Sequence, residues 1–193
     1  LIKPGESHNG KKVSVEEQTD LLKYSIEKSG FGKAVAGGIK YVCLDNEPMI
    51  WWTSHRDMIG FHMGYEDYWN HMLPYATRLK QIDPDVQIAG PALWGWTAYF
   101  YSTKDAFWVK YQNDDKWDRD RLPEHGIKHN KTPFLKWWLA KVGEYKKKNQ
   151  KALFDVVDVH VYPNMKTLER PKEEQTNNPQ VMEFRIESIK SLW

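Results

Sequence analysis

Residues 41–55, YVCLDNEPMIWWTSH, join a short apolar run to a polar turn and then to two adjacent tryptophans. The apolar run covers residues 38–45; it is too short for a stable helix and is apolar on both faces at its centre. These properties predict a strand that is covered on both sides, as in a parallel sheet. An Asp-Asn-Glu sequence at residues 45–47 follows the strand directly.

Two further strands are predicted, and each has a predicted helix before it and after it. Residues 83–91 form a turn followed by a short strand, and residues 154–161 form a third strand. Alternation of helices with strands predicts parallel strands joined by crossover helices, hence an α/β fold. Residues 91–131 show little periodicity and are expected to form a long loop. The predicted helices run from the Ser14/Glu17 capping box to Gly30, over residues 65–82, from Thr132 as N-cap through the lysine run 146–148, and from Asn178-Pro179 to Trp193.

Polar and aromatic residues cluster where each predicted strand ends. The clusters are residues 45–47, the Leu-Trp-Gly-Trp sequence at 93–96, and the His-Val-Tyr sequence at 160–162. In parallel α/β folds, binding and catalytic residues collect at the carboxyl ends of the strands. We therefore expect these three clusters to form one site.

Glu47 is the leading candidate for a catalytic group. Trp51, Trp52 and Trp94 are expected to surround it, and partial desolvation of the carboxyl would favour the protonated form that a general acid needs. Tryptophan faces suit the apolar faces of sugar rings, and Asn46 can donate to and accept from hydroxyl groups. A structural interpretation, in which Glu47 caps a turn and the tryptophans belong to the core, stays open.

Three further residues are predicted to contribute to the same site. Trp96 adds a ring to the predicted stacking surface, and His160 and Tyr162 follow the third strand. His160 is predicted to hydrogen-bond a carboxylate or a substrate hydroxyl, with a purely structural histidine as the alternative.

Composition excludes several classes of partner. The formal charge of the 193 residues is only +2 and no basic stripe is present, so no nucleic-acid partner is expected. No apolar run reaches the roughly 18 residues of a spanning helix, so no membrane partner is expected either. The single cysteine, Cys43, excludes an intramolecular disulfide and is predicted to be a small buried hydrophobe.

No metal site and no cofactor are expected from the sequence. His125 and His129 have the i, i+4 spacing of helical metal ligands, but Pro123 and Gly126 argue against a helix and no third ligand is apparent. The acidic segment 114–121 is interleaved with basic residues and fits no EF-hand loop, so a solvated loop is preferred to a calcium site.

At YVCLDNEPMIWWTSHRDM, residues 41–58, the sequence resembles glycoside hydrolase family 44. The resemblance continues through DPDVQIAGPALWGW (83–96), FDVVDVHVYP (154–163) and RIESIKSLW (185–193). It implies that residues 1–193 form a single segment of a (β/α)8 barrel, a partial TIM barrel holding about strands four to six. The remainder of the barrel is then expected outside these residues.

The resemblance also implies an activity: retaining, endo-acting hydrolysis of β-1,4-linked glucans such as cellulose derivatives or xyloglucan. Glu47 corresponds to the acid/base and Asn46 to the residue that contacts the sugar 2-hydroxyl. The family's nucleophilic Glu follows the seventh strand and is expected beyond Trp193, while Glu183 and Glu187 lie in a predicted helix and are poor substitutes. The isolated segment is therefore expected to be inactive, and the enzyme is expected to be secreted because its polymeric substrate cannot enter a cell.

Two alternatives to a hydrolase stay open. A carbohydrate-binding protein would use Trp51, Trp52, Trp94 and Trp96 as a stacking platform without catalysis. The other alternative is an inactive barrel fragment.

Overall fold

Helix α1 (Val15–Glu27) begins where the sequence predicts it. The Ser14 hydroxyl accepts the N–H of Glu17 at 3.1 Å, and the Glu17 carboxylate accepts the N–H of Ser14 at 2.8 Å, which is the predicted capping box. Leu22 is buried and directs this helix toward the core. The computed structural model describes residues 13–112 and 118–161, and the compact unit that contains the sheet ends at His160.

Three parallel strands form the sheet, in the order β1-β2-β3. They are β1 (Tyr41–Cys43), β2 (Gln87–Leu93) and β3 (Val156–Val159). The register pairs Val42 of β1 with Ile88 of β2. The predicted α/β fold with parallel strands is thus confirmed, because each strand returns in the same direction only after a helical crossover.

Helices connect the strands, as predicted. Pro74 lies within the long helix after β1 without ending it, and the Asp67 carboxylate accepts the N–H of Gly64 at 2.8 Å at the start of that helix. None of the helices that the structure describes is both long and apolar enough to cross a membrane. The helices between the strands are α2 (Trp51–Ser54) and α3 (Tyr65–Ile82) after β1, and α4 (Trp96–Phe100), α5 (Thr103–Gln112) and α6 (Phe134–Asn149) after β2.

The prediction of one long loop over residues 91–131 is wrong. Besides α4 and α5, this segment contains a 3₁₀ turn at Arg119–Arg121 and a π-helix at Pro123–Lys128. The fully buried carboxylate of Asp105 organises it: Oδ2 accepts the N–H and hydroxyl of Ser102, and Oδ1 accepts the N–H groups of Glu124 and His125. The residues before α5 and the π-helix are thus joined by a buried polar group rather than by an apolar face, which leaves little apolar periodicity in this part of the sequence.

One helix start differs from the prediction, and several predicted features lie outside the described residues. Helix α6 has Pro133, not Thr132, at its N-cap, a shift of one residue. Tyr162 and the helix predicted from Asn178-Pro179 to Trp193 fall outside the described residues. Residues 113–117, within the predicted loop, do so as well. The single-segment interpretation of residues 1–193 therefore stays a prediction.

Aromatic side chains fill the core between the sheet and helices α3 and α6. Trp138 contacts Trp69 and Phe154 with its ring edge, at centroid distances of 5.3 and 5.0 Å. Edge-to-face pairs of this kind stabilise cores beyond the area they bury. The buried side chain of Lys80 forms an ion pair beside this core. Its Nζ lies 2.8 Å from Asp155 Oδ2 and donates to the carbonyl of Val86 at 2.7 Å.

The outer strands are more exposed than the sequence predicts. The first strand was expected to be covered on both sides, yet Tyr41 is 57% exposed and Cys43 is also exposed. On the other side, Val157 of β3 is 48% exposed. Each of these strands pairs with only one neighbour among the described residues. A cavity of about 460 Å³ lies beside β1, and its lining includes Val42, Leu44, Met72 and Leu79.

Candidate active site

Backbone hydrogen bonds bring the three strand ends together. The N–H of Glu47 donates to the carbonyl of Ala92 at 3.0 Å, and the N–H of His160 donates to the carbonyl of Leu93 at 2.8 Å. The cluster after β2 is therefore hydrogen-bonded to the clusters after β1 and β3. This arrangement follows from the parallel sheet, in which carboxyl ends share one edge.

Glu47 adopts an unusual backbone conformation at this edge. Its φ of 49° and ψ of 56° lie in the left-handed region, which non-glycine residues rarely adopt. Glu47 also precedes the 3₁₀ turn Pro48–Ile50, whose last N–H donates to the Glu47 carbonyl at 3.0 Å. The surrounding hydrogen bonds hold a conformation that costs about 1–2 kcal/mol, a cost found most often at functional sites.

The Glu47 carboxyl contacts the imidazole of His160, which follows the outer strand on the opposite edge of the sheet. Its Oε1 lies 2.7 Å from Nδ1 of His160, and the Glu47 side chain is only 13% exposed. His160 is itself 25% exposed, so water reaches this pair from one side. The sequence predicted a carboxylate or a hydroxyl as the partner of His160, and the structure provides the carboxylate of Glu47.

Two residues that were not among the predicted site residues support His160. The Tyr99 hydroxyl donates to the His160 carbonyl at 2.6 Å. Nε2 of His160 lies 3.9 Å from Oδ1 of Asp158, too far for a hydrogen bond but close enough for an electrostatic contact. Asp158 has a sequence signal, because residues two apart in a strand share one face. Tyr99 has none, since it lies in the segment predicted to be a loop.

Cys43 also faces Asp158, which corrects its predicted role as a buried hydrophobe. Its thiol lies 3.0 Å from Asp158 Oδ2. Partial burial, this hydrogen bond and the negative charges of Asp158 and Asp45 raise the pKa of the Cys43 thiol to about 12. A thiol in this environment stays protonated and donates to the carboxylate.

Asn46 and Trp51 form a unit next to Glu47. The indole Nε1 of Trp51 donates to the Asn46 carbonyl at 2.9 Å, and the Asn46 N–H donates to Asp45 Oδ1 at 2.7 Å. Asn46 is exposed, whereas Trp51 is only 5% exposed and meets His71 edge-on. A ring so enclosed presents no open face for stacking on a sugar, so Trp51 instead orients the backbone of Asn46.

The other predicted tryptophans differ in how accessible they are. Trp94 is 37% exposed, and Trp96 is 62% exposed at the start of α4, where it meets Phe100 edge-on. Trp52 is partly buried and contacts the His62 ring at a centroid distance of 5.1 Å. Trp94 and Trp96 therefore offer the rings with the most free surface.

Comparison with a family model gives the chain its identity. Residues 3–165 match the model for glycoside hydrolase family 44. The chain belongs to this family. The match covers all three strands and the whole described site, so the family 44 resemblance of the sequence is confirmed.

Curated relatives of this family 44 chain are much longer than the chain itself. It is 25% identical over 186 residues to endoglucanase A of Paenibacillus lautus, covering 96% of this chain and 24% of the relative. It is 27% identical over 145 residues to the beta-mannanase/endoglucanase A of Caldicellulosiruptor saccharolyticus, covering 75% of this chain and 10% of that protein. The chain thus spans a quarter or less of these relatives.

Solved structures show the same relationship. A bifunctional glucanase-xylanase from a metagenome library is 28% identical with a TM-score of 0.72, over 86% of this chain and 31% of that protein. A Paenibacillus polymyxa xyloglucanase of family 44 is 27% identical with a TM-score of 0.58, over 80% of this chain and 27% of that protein. The family 44 chain therefore shares its fold with a part of each of these enzymes.

Proposed function

We propose that this family 44 chain is the part of a retaining, endo-acting β-1,4-glucanase that carries the general acid/base, Glu47. The observation that supports the proposal most strongly is the 2.7 Å contact between the Glu47 carboxyl and His160, at the sheet edge where the three strands end. A carboxyl that is 13% exposed and held by an imidazole is fixed in position and can still exchange a proton.

The proposed reaction needs Glu47 in two protonation states. In the first step the protonated carboxyl gives its proton to the glycosidic oxygen as the C–O bond breaks, and a nucleophilic carboxylate bonds to the sugar carbon. In the second step the Glu47 carboxylate takes a proton from water, whose oxygen replaces the nucleophile and releases the sugar. The proton balance closes, since Glu47 ends protonated as it began.

The nucleophile is proposed to lie outside residues 1–193. Retaining enzymes place the two carboxyl groups about 5–5.5 Å apart, so the partner would approach Glu47 from another strand end of the barrel, and the family resemblance makes this the seventh. We propose that the three strands are about strands four to six of a (β/α)8 barrel. The exposed outer strands and the apolar cavity beside β1 support this, because further strands and helices would cover them.

Substrate contacts are proposed for the accessible residues around Glu47. Asn46 is exposed and would bond a sugar hydroxyl, and Trp94 and Trp96 would stack on sugar rings. Trp52 and Tyr162 are proposed as further substrate contacts. The names of the relatives support β-glucans as the substrate class, with cellulose-type chains and xyloglucan first. A polymeric substrate of this size also supports secretion.

The test compares the chain of residues 1–193 with the complete polypeptide that contains it, after the intact mass of each is measured. Reducing-sugar release from xyloglucan and carboxymethylcellulose is expected from the complete polypeptide and not from the 193 residues alone. Glu47→Gln should slow release by about 10²–10⁴-fold. Glu144→Gln is the matched control, because that side chain is 68% exposed and pairs with Lys141 on the surface of α6.

A second substrate separates an acid/base from a merely structural carboxyl. An aryl β-cellobioside with a dinitrophenolate leaving group needs no proton to depart, so bond cleavage in Glu47→Gln should lose far less rate than with polysaccharide. Equal losses on both substrates would overturn the acid/base role. If the wild-type polypeptide binds glucan without cleaving it, and Glu47→Gln binds equally well, the alternative is favoured. That alternative is a carbohydrate-binding protein that uses its exposed tryptophans.

A further inference from the structure

Glu66, Glu124 and His129 form a cluster at the start of α3 that does not include Glu47. One ligand atom from each lies within 4.8 Å of the other two. His129 Nε2 lies 3.4 Å from Glu66 Oε2 and 3.4 Å from Glu124 Oε2. The π-helix makes this possible, because the N–H of His129 donates to the Glu124 carbonyl at 2.9 Å and closes the wide turn between the two.

The unusual member of the cluster is the imidazole. Nε2 of His129 is buried and has no hydrogen-bond partner among the described residues, and the His129 side chain is only 9% exposed. The Tyr65 ring stacks on it at 4.3 Å with an angle of 7° between the planes, so the nitrogen is held facing the two carboxylates. A buried polar atom normally has a partner, and one without it calls for an explanation such as a bound ion.

The distances from His129 Nε2 to the two carboxylates fit a small transition-metal ion. Zinc bonds of about 2.0–2.1 Å in a tetrahedral site place neighbouring ligand atoms about 3.3–3.4 Å apart, which is the distance from Nε2 to each carboxylate. An imidazole with two carboxylates suits zinc and similar ions, whereas calcium and magnesium prefer oxygen ligands alone. Glu66 is 39% exposed, which leaves an entrance and room for a water ligand.

Two lysines compete for the same carboxylates. Lys128 Nζ lies 2.6 Å from Glu66 Oε2 and 3.4 Å from Glu124 Oε2, and Lys104 Nζ lies 3.1 Å from Glu124 Oε1. Both lysine side chains are half exposed, so either can turn outward into solvent. An ion entering the cluster would therefore displace Lys128, and this competition would weaken binding without preventing it.

We infer that Glu66, Glu124 and His129 bind one divalent ion of the zinc class. The ion ties the first turn of α3 to the π-helix, two elements that the sequence separates by some sixty residues. Its role is structural, since it would hold in place the irregular segment that follows α5. His125 is not a ligand: its Nδ1 lies 3.4 Å from the Tyr65 hydroxyl instead.

The test is a calorimetric titration with zinc chloride after the protein has been treated with a chelator. Wild-type protein is expected to bind one equivalent and to melt at a higher temperature with zinc. His129→Gln and, independently, the more exposed Glu66→Gln should each weaken binding by at least about tenfold. Lys128→Met should bind more tightly, because the competing ammonium is gone. His55→Gln, which changes an exposed histidine outside the cluster, should bind as wild type does.

Circular dichroism of each variant confirms that it is folded before its affinity is compared. Equal zinc affinity in wild type, His129→Gln and Glu66→Gln would overturn the inference. Loss of zinc binding in His55→Gln would overturn it too, because the ion would then bind outside the cluster. Absence of binding in both wild type and Lys128→Met would overturn it as well. The readouts are affinity and melting temperature, so they are independent of whether Glu47 is the acid/base.

Discussion

Nδ1 of His160 lies 2.7 Å from Oε1 of Glu47, and this contact joins the end of β3 to the end of β1 across the central strand. The two residues are 113 positions apart in the sequence. Backbone bonds fix both partners, since Glu47 donates to Ala92 and His160 to Leu93. The sheet therefore fixes the backbone of both residues, and the contact with His160 restricts the otherwise flexible side chain of Glu47, whose carboxyl is proposed to transfer protons.

His160→Gln in the complete polypeptide should lower kcat by about tenfold to a hundredfold. A hydrogen bond to a charged group contributes roughly 1.5–3 kcal/mol, and losing it lets the Glu47 carboxyl leave its position. Initial rates on xyloglucan at a single pH measure the effect. Tyr99→Phe should lower kcat less, because it removes the bond to the His160 carbonyl and keeps the imidazole. An unchanged kcat in His160→Gln would show that the imidazole does not position Glu47.

Trp51→Phe should destabilise the protein by about 1 kcal/mol and raise KM. The substitution keeps an aromatic ring but removes the indole N–H that bonds the Asn46 carbonyl. Trp51→Ala should cost about 3–5 kcal/mol, because it also empties a buried site. Urea unfolding and initial rates measure both effects. Wild-type KM in Trp51→Phe would mean that the indole bond does not orient Asn46.

Unfolding free energy should fall as pH drops below about 6.5, and His62 should contribute to this fall. Burial lowers the pKa of His62, whose ring stacks on Phe107 at 3.8 Å. A lowered pKa in the folded state means that the unfolded chain binds protons more readily, so stability is full above 6.5 and is lost as pH falls through that value. His62→Phe keeps a stacking ring and should flatten the fall. Urea unfolding at pH 7.5, 6.5 and 5.5 checks it, and an equally steep fall in the variant would contradict the prediction.

Cys43 should react slowly with iodoacetamide although its side chain is exposed. At a pKa of about 12 the thiol is almost entirely protonated at pH 8, and only the thiolate reacts. Alkylation should be at least about tenfold slower than that of free glutathione, as followed by mass spectrometry. Asp158→Asn should speed the reaction, because it removes the charged acceptor of the thiol. The same slow rate in Asp158→Asn would assign the whole effect to burial of the thiol.

Local sequence was sufficient for the elements with strong periodic or capping signals. The Ser14/Glu17 capping box marks the start of α1, and the helix predicted over residues 65–82 has the bounds of α3. The order of strands and helices also predicts a parallel sheet, because crossover helices leave little alternative. It follows that Glu47 and His160 were predicted at one edge of the sheet.

The elements that escaped prediction depend on contacts between distant residues. Asp105 holds the π-helix through the N–H groups of Glu124 and His125, about twenty positions away, so no local pattern reveals that helix. The same π-helix brings Glu124 and His129 to Glu66, although proline and glycine argued against any helix there.

The sequence by itself determined the α/β fold and its parallel strands, and it singled out Glu47 as the leading candidate for a catalytic group, because these rest on local signals and on the order of the elements. Tertiary structure decided that Trp51 is enclosed, that Cys43 faces Asp158, and which partner His160 meets. The physical reason is that burial and pairing depend on which side chains the crossovers bring together, and those lie from twenty to more than a hundred residues apart.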